Sequence, residues 1–168
     1  MKVIIKNCPD KNFKPYVEKA LSFYSKELIS NTRVRNNCET VVRFTSKIKD
    51  FGYATVKSSN SRKQPRKFLI EIHPGIGVRN ILETLAHEMV HIKQYINGET
   101  DDQLTVWRGQ SVDSNVIEYW SHPWEIDAYG REVGLFTKFA MKEKLWDVFD
   151  GIKNPDLPIV SVPIKWKK

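Results

Sequence analysis

Cysteine and long apolar runs are both scarce in this sequence, and each shortage excludes a class of protein. The 168 residues contain only two cysteines, Cys8 and Cys38, and these lack metal-type spacing. A disulfide-rich secreted scaffold is therefore excluded, and free thiols in a reducing cytoplasm are predicted, with a single disulfide as the alternative. No run of about eighteen apolar residues occurs, so no membrane span is predicted. Charge returns at Lys6, too early for the apolar part of a secretory leader.

Histidine is scarce as well, yet two of the four histidines fall in one motif, His87-Glu88-Met89-Val90-His91. Residues four apart lie on one face of a helix, so both imidazoles can reach a single ion. Glu88, beside the first imidazole, can reach a water bound to that ion. This spacing is the H-E-x-x-H signature of zinc metallopeptidases.

The residues around the motif predict that it lies on a helix. No glycine or proline occurs between Val78 and Tyr95, and Asn97-Gly98 then supplies a C-terminal stop. The two histidines fall opposite an apolar stripe, so they are predicted to face a cleft. The alternative is a pair of surface histidines on an amphipathic helix. The stripe consists of residues spaced three or four apart, namely Val78, Leu82, Leu85, Met89, Ile92 and Ile96.

A catalytic zinc site usually has three protein ligands and one open position, so the motif needs a third ligand. A second helix is predicted to begin at Pro123 and to run through Phe139, because proline suits the first helical position. Glu125 in its first turn is the favoured third ligand, although it can also serve as a helix-start charge. His122 is the main competitor. Glu132 shares a helix face with Glu125, but a solvated or arginine-paired carboxylate is the favoured interpretation.

Two segments resemble the gluzincin branch of the zincins, in which a helix with H-E-x-x-H is followed by a helix that supplies a glutamate. The matching stretches are 86–95 and 123–128, and Trp107-Arg108-Gly109 resembles the hairpin between the two helices. Within that branch the chain is similar to small SprT-like or minigluzincin-like domains, including ones carried by bacteriophages. The similarity covers about 68–138. It departs at Tyr129, where larger gluzincins place an aspartate that orients the first histidine, and the nearest aspartate is Asp127.

The resemblance implies a zinc-dependent peptidase that acts on protein or peptide in the cytoplasm of a bacterial or phage-infected cell. Zinc would be held by His87, His91 and Glu125, while Glu88 would accept the proton of the attacking water. Four residues are expected to include the hydrogen-bond donor to the oxyanion or a residue that hydrogen-bonds the metal ligands and holds them in place. The alternative is a catalytically silent, zinc-containing binding or inhibitor module. The four residues are His122, Tyr119, Tyr129 and Asp127.

The remaining pattern predicts a single α+β domain over 1–168 with a zincin-like fold. It would contain an N-terminal helix, a small mixed or antiparallel sheet, the H-E-x-x-H helix and the second helix with the third ligand. Predicted helices lie at 14–29 and near 141–149, and an irregular tail covers 151–168. Predicted strands lie at 40–45, 53–57 and 68–73, and a hairpin pairs 104–107 with 110–112.

Charge is divided unevenly along the chain. Residues 1–70 carry 16 Lys/Arg against 5 Asp/Glu, whereas residues 71–138, the predicted catalytic part, carry 5 against 11. The loop at 57–67 could contact nucleic acid through Arg62, Lys63, Arg66 and Lys67. SprT-like proteases act on DNA-bound proteins, which makes this contact an alternative function by resemblance. The favoured interpretation of the loop is a solvated, flexible connection, and the oligomeric state is left open.

Overall fold

The structure is a computed structural model that describes residues 1–57 and 64–146. These residues form a small mixed α+β fold with four helices, a four-stranded sheet and a short hairpin. A single 3-10 turn, Tyr119–Ser121, precedes the last helix. In chain order the elements are β1 (Lys2–Lys6), α1 (Lys14–Leu28), α2 (Thr32–Asn36), β2 (Glu39–Phe44), β3 (Gly52–Val56), β4 (Lys67–Ile72), α3 (Val78–Asn97), β5 (Val106–Trp107), β6 (Gln110–Ser111) and α4 (Pro123–Lys142).

The main sheet is mixed, with the strand order β1-β2-β4-β3. Strands β1, β2 and β4 are parallel, and β3 pairs antiparallel with β4 at the edge. The three strands predicted in this sheet are confirmed to within one residue at each end. Strand β1 was not predicted, because its short Lys-flanked stretch becomes a strand only by pairing with the distant β2.

The core lies between one face of the sheet and the helices α1, α3 and α4. In β4, Phe68, Ile70 and Ile72 are buried on the inner face. From α1, Leu21 and Tyr24 are fully buried against the same core. The predicted apolar stripe of α3 is confirmed, since Leu82, Leu85, Met89, Ile92 and Ile96 are all buried. Removing this much apolar surface from water at about 25 cal/mol per Å² is the main force that fixes α3 against the sheet.

Two glycines determine how α3 sits. Helix α3 ends as predicted, because Gly98 adopts a left-handed backbone with φ of 66° that favours glycine. At Gly52 in β3, an added Cβ would lie 2.7 Å from Cγ2 of Thr84 and 2.8 Å from the carbonyl oxygen of Glu71. Only glycine therefore lets the edge strand approach α3 this closely.

Helix α4 extends three residues past its predicted end at Phe139. It continues to Lys142 with an apolar side that includes Phe139, and the chain then turns at 143–145. The helix predicted near 141–149 therefore does not begin at 141, and its residues 147–149 lie outside the described part. The short helix α2 was not predicted, since its five residues carry no apolar periodicity. The predicted tail at 151–168, the residues beyond 146, and most of the basic loop lie outside the described residues. Among the helices in the described part, none is long and apolar enough to cross a bilayer.

The outer face of the sheet holds a buried carboxylate that links three strands. Glu71 accepts hydrogen bonds from Nε of Arg43 at 2.7 Å and from the hydroxyl of Tyr53. Burial raises the pKa of Glu71, but the Tyr53 hydroxyl and the Arg43 guanidinium outweigh it, so the net pKa falls below its ordinary value. A carboxylate with a lowered pKa adds stability above its unfolded pKa, and this stability is lost as the pH falls through the folded pKa.

We therefore expect Glu71→Gln to lower the free energy of unfolding at pH 7 by about 1–3 kcal/mol, because Arg43 loses its charged partner. The difference from wild type should shrink as the pH is lowered from 7 toward 3. Urea unfolding across this range measures both effects, with the exposed Glu118→Gln as a near-neutral control. A difference that is the same at every pH would contradict the assigned role.

Candidate metal centre

The structure brings the three predicted ligands together. His87 and His91 lie on α3 and Glu125 lies in the first turn of α4. The Nε2 atoms of the two histidines are 3.0 Å apart. Oε2 of Glu125 is 3.2 Å from Nε2 of His87, and its Oε1 is 3.5 Å from Nε2 of His91. All three residues are buried, so two nitrogens and one carboxylate converge on a single enclosed point.

Each histidine is held from behind by its other ring nitrogen. Nδ1 of His87 is 2.7 Å from Oε2 of Glu132, and Nδ1 of His91 is 3.0 Å from Oε1 of Gln94. Both partners can accept a hydrogen bond, so Nδ1 of each ring can donate to them, and Nε2 is the ring atom that faces the centre, where its lone pair can bind a metal once the ring is neutral. Such outer partners fix the ring orientation of metal-ligating histidines.

The interpretation of Glu132 as a solvated or arginine-paired carboxylate is wrong. Its side chain is 21% exposed and its closest ionisable partner is His87. The reason is helical geometry, because Glu132 lies two turns after Glu125 on the same face of α4. Glu132 thus contacts Nδ1 of His87 and can orient its ring. The gluzincin resemblance places an aspartate in that role at the position of Tyr129.

Asp127 supports the ligands only indirectly. The amide nitrogen of Gln94 donates to Oδ2 of Asp127 at 3.2 Å and to the carbonyl oxygen of Trp124 at 3.0 Å. Gln94 is fully buried, so its amide joins α3 to α4 while its oxygen holds His91. Only the position of Gln94, three residues after His91, could have pointed to this residue before the structure was known.

Glu88 is buried beside the ligands and is incompletely paired. The backbone of Ala54 in β3 hydrogen-bonds its carboxylate. Its Oε2 atom is inaccessible and has no hydrogen-bond partner among the residues that the structure describes. A buried carboxylate oxygen without a partner is costly. A metal-bound water at this centre would donate a hydrogen bond to Oε2 and remove that cost, so the unpaired oxygen favours such a water.

The electrostatics also favour a cation. Burial lowers the pKa of His87, but its hydrogen bonds to Glu125 and Glu132 raise the net pKa to about 10. Burial raises the pKa of Glu125, and the hydrogen bonds from both histidines outweigh it and lower the net pKa. For Glu88, burial dominates and raises the pKa. The Glu125 and Glu132 carboxylates thus favour positive charge on the imidazoles, and a divalent cation bound to neutral imidazoles would supply that positive charge in place of the protons.

The tyrosines predicted as oxyanion donors lie at the centre, whereas His122 does not join the ligand group. The Tyr129 ring packs at 4.6 Å from the His87 ring. The Tyr119 hydroxyl interacts with Tyr129 and Glu125, and burial together with these neighbours raises the pKa of Tyr119. Both tyrosines remain partly exposed. Nε2 of His122 contacts the carbonyl oxygen of Ser114 at 3.3 Å, and His122 stands at the start of α4.

Two of the four basic residues predicted to contact nucleic acid, Arg66 and Lys67, lie in the described part of the chain. Arg62 and Lys63 lie outside the described residues. Arg66 donates to the carbonyl oxygen of Pro65 and to Oε1 of Gln64, both at 2.9 Å. Lys67 is exposed at the start of β4. Contact with nucleic acid therefore stays a prediction.

We expect Glu132→Ala to weaken zinc binding by about 10–100-fold, because the His87 ring loses the acceptor that fixes its orientation. The Kd for zinc, measured by competition with a chromophoric chelator, tests this. Glu118→Ala removes an exposed carboxylate that precedes α4 and serves as the matched control. Equal zinc affinities for wild type and Glu132→Ala would show that Glu132 does not support the site.

No protein-family model, curated protein or solved structure matches the chain. Function must therefore be argued from the chemistry and geometry of the site itself. The site offers a buried pair of imidazoles, an adjoining carboxylate and one buried carboxylate that is not a ligand. This arrangement constrains the choice of both metal and reaction.

Proposed function

We propose that this chain is a zinc-dependent metallopeptidase with a zincin-like fold. The observation that carries the proposal is the buried His87–His91–Glu125 group beside Glu88, whose Oε2 has no partner among the described residues. Three converging ligands with one position left open are typical of catalytic zinc sites, whereas structural zinc sites are closed by four ligands. A purely structural site would not require Glu88.

The donor set supports zinc over other ions. Two imidazoles and one carboxylate suit zinc, whereas calcium and magnesium prefer shells made of oxygen. When bound, zinc would supply a Lewis acid that polarises a carbonyl group and lowers the pKa of a water. The neutral Nε2 lone pairs of His87 and His91 and the carboxylate of Glu125 would hold it.

The remaining chemistry falls to the protein's own side chains. Glu88 would accept a proton from the attacking water and later deliver a proton to the departing amine. Burial raises the pKa of Glu88, and this is the direction that favours uptake of a proton from water. The hydroxyls of Tyr119 and Tyr129 would donate a hydrogen bond to the oxyanion, which is supported by the contact of Tyr119 with Glu125 and of the Tyr129 ring with His87.

The sheet supports a polypeptide as the substrate. Strand β3 is an edge strand, and its Ala54 contacts Glu88. An extended peptide that paired with the free side of β3 would run past the catalytic carboxylate, by the usual addition of a strand to a sheet edge. Cytoplasmic location and a phage or bacterial source stay predictions.

Cleavage of a panel of denatured proteins by the zinc-loaded chain, read by mass spectrometry of the new termini, tests the proposal. Zinc-dependent cleavage is expected. Stoichiometric zinc with no cleavage of any substrate would instead favour a catalytically silent binding or inhibitor module.

The version of the function in which the protease acts on DNA-bound proteins has its own test. A gel shift with duplex DNA should then appear at low salt and disappear when Arg62, Lys63, Arg66 and Lys67 are neutralised. The absence of a shift at low salt would exclude this version without affecting the peptidase proposal.

A further inference from the structure

A groove of about 580 Å³ lies beside α4 and is separate from the metal centre. None of the three ligands lines it. Helical spacing explains the separation, because Glu125 and Glu132 share the face that meets the centre, whereas Ile126 and Gly130 lie on another face of α4. The hairpin contributes Trp107 of β5 and the turn residue Arg108. The lining residues are Trp107, Arg108, Pro123, Ile126, Asp127, Gly130 and Arg131.

One side of the groove is apolar and unusually exposed. Ile126 in α4 has 58% of its surface exposed. Pro123 and the Trp107 ring complete this apolar wall. An exposed isoleucine beside a tryptophan and a proline is a surface that an apolar side chain of a ligand would cover favourably.

Among the described residues, cations outnumber carboxylates at Arg108 and Arg131 of the groove. Nε of Arg131 donates to Asp127 at 2.9 Å. Arg108 stays 3.7 Å from Glu99 and 3.9 Å from Asp127, beyond hydrogen-bonding distance. Lys93 pairs with the same two carboxylates. Three cations thus share two carboxylates, and the two arginine side chains remain about half exposed. One more carboxylate would balance the charge.

The position of Arg108 supports a role for its side chain. Arg108 has a backbone φ of 48°, followed by Gly109 with φ of 84°. This pair of left-handed residues is the two-residue hairpin turn in which asparagine or glycine is favoured at the first position. An arginine there is strained, and its guanidinium lies 4.7 Å from the Trp107 ring centre, over the apolar wall.

We propose that this groove binds a short extended segment of another polypeptide in which a carboxylate side chain stands next to an apolar one. The carboxylate would lie between Arg108 and Arg131, where a guanidinium can bind it with two hydrogen bonds. The apolar side chain would cover Ile126. From Pro123 to Arg131 the helix rises about 12 Å, the length of about four extended residues.

A nucleic-acid strand fits this groove less well than a peptide does. A nucleic-acid strand carries a phosphate on every nucleotide, and these phosphates would be repelled by the carboxylate of Asp127 in the groove lining. The single positive charge that is not balanced there would offset only one phosphate. The proposal does not depend on peptide hydrolysis. Asp127 of the groove is connected to the metal centre through Gln94, which donates to Asp127 and holds His91.

Two glycines of α4 provide a matched test. A Cβ added at Gly130, which lines the groove, meets no atom within 4 Å, and the same holds at Gly134, which does not line it. Leucine at either position therefore causes no clash at its Cβ, and it has a higher helix propensity than glycine. Gly130→Leu should fill the groove, whereas Gly134→Leu, one turn later, should leave it open.

The probe is a fluorescein-labelled peptide with one glutamate next to one leucine in a glycine-serine background, titrated by fluorescence anisotropy against the zinc-loaded chain. We expect saturable binding by wild type and by Gly134→Leu, and at least tenfold weaker binding by Gly130→Leu. Replacing the glutamate of the probe by glutamine should also weaken binding. Mass spectrometry of the probe after the titration separates binding from cleavage.

Three results would overturn the proposal. They are no binding by wild type up to millimolar protein, equal binding by wild type and Gly130→Leu, and an equal loss in both leucine variants when their circular dichroism spectra match that of wild type. If the spectra show that the leucine variants misfold, Arg108→Gln, at an exposed hairpin turn, replaces them. Weaker binding by Arg108→Gln than by wild type would support the proposal, and equal binding would overturn it. Binding without cleavage of any protein panel would leave the groove standing and contradict the peptidase. Cleavage without binding would do the reverse.

Discussion

The Glu88→Gln variant is expected to retain its zinc and to hydrolyse peptide bonds at least about 100-fold more slowly than wild type, because removal of a positioned general base costs 10²–10⁴-fold. Glutamine has the size of glutamate and keeps an oxygen for the Ala54 backbone, so the buried packing around this side chain is preserved. It cannot accept a proton from the attacking water. The loss should therefore appear in kcat rather than in zinc content.

Glu83→Gln is the matched control for this experiment. Glu83 lies on the same helix and pairs with Arg79 at the surface, where such pairs contribute little. Its substitution should leave both zinc content and kcat close to wild type. Undiminished cleavage by Glu88→Gln would remove Glu88 from the mechanism, and loss of zinc from this variant would instead make it part of the ligand set.

His91→Ala should abolish stoichiometric zinc binding, with at least about a 100-fold rise in the Kd for zinc, since loss of an outer partner alone costs 10–100-fold. His91 is 9% exposed and offers Nε2 to the centre while Gln94 holds Nδ1. Alanine removes one of three ligands, and only His87 and Glu125 remain in the group. Zinc should raise the Tm of wild type but not that of this variant, because a ligand stabilises only the state that binds it.

The chain supplies its own controls for this prediction. Of its four histidines, His73 and His122 lie outside the ligand group. Nδ1 of His73 accepts a hydrogen bond from the backbone of Gly75, and His122 contacts the Ser114 carbonyl oxygen. His73→Ala and His122→Ala should therefore bind zinc as wild type does. A loss of zinc by His122→Ala equal to that of His91→Ala would mean that the ligand set has been assigned wrongly.

Local spacing was enough to predict the elements that carry the centre. The apolar repeat and the Asn97-Gly98 stop gave α3, and Pro123 gave the start of α4. Spacing within one helix also placed His87 and His91 on one face. These features depend on residues a few positions apart, which helical geometry relates directly.

Features that depend on how two elements meet could not be predicted in the same way. Glu132 and Tyr129 lie on the same side of α4, and the spacing alone does not say which one reaches His87. The rotation of α4 against α3 decides that the carboxylate of Glu132 takes Nδ1 while the Tyr129 ring packs on the imidazole. Gln94 acts through contacts with Trp124 and Asp127 on the other helix.

The tryptophans illustrate the same limit. From the sequence alone, each of Trp107, Trp120 and Trp124 could line a pocket or belong to the core. Trp124 is 1% exposed and serves the core, whereas Trp120 is 58% exposed and packs on Tyr129. Trp107 faces the separate groove. Composition alone did not distinguish these three environments.

Anomalous diffraction at the zinc edge from crystals grown with zinc tests the central claim most directly. The account predicts a single strong peak about 2.0–2.2 Å from Nε2 of His87, Nε2 of His91 and a carboxylate oxygen of Glu125, with Glu132 on the far side of the His87 ring. A peak elsewhere, or no peak in protein saturated with zinc, would contradict the metal centre and the peptidase proposed from it.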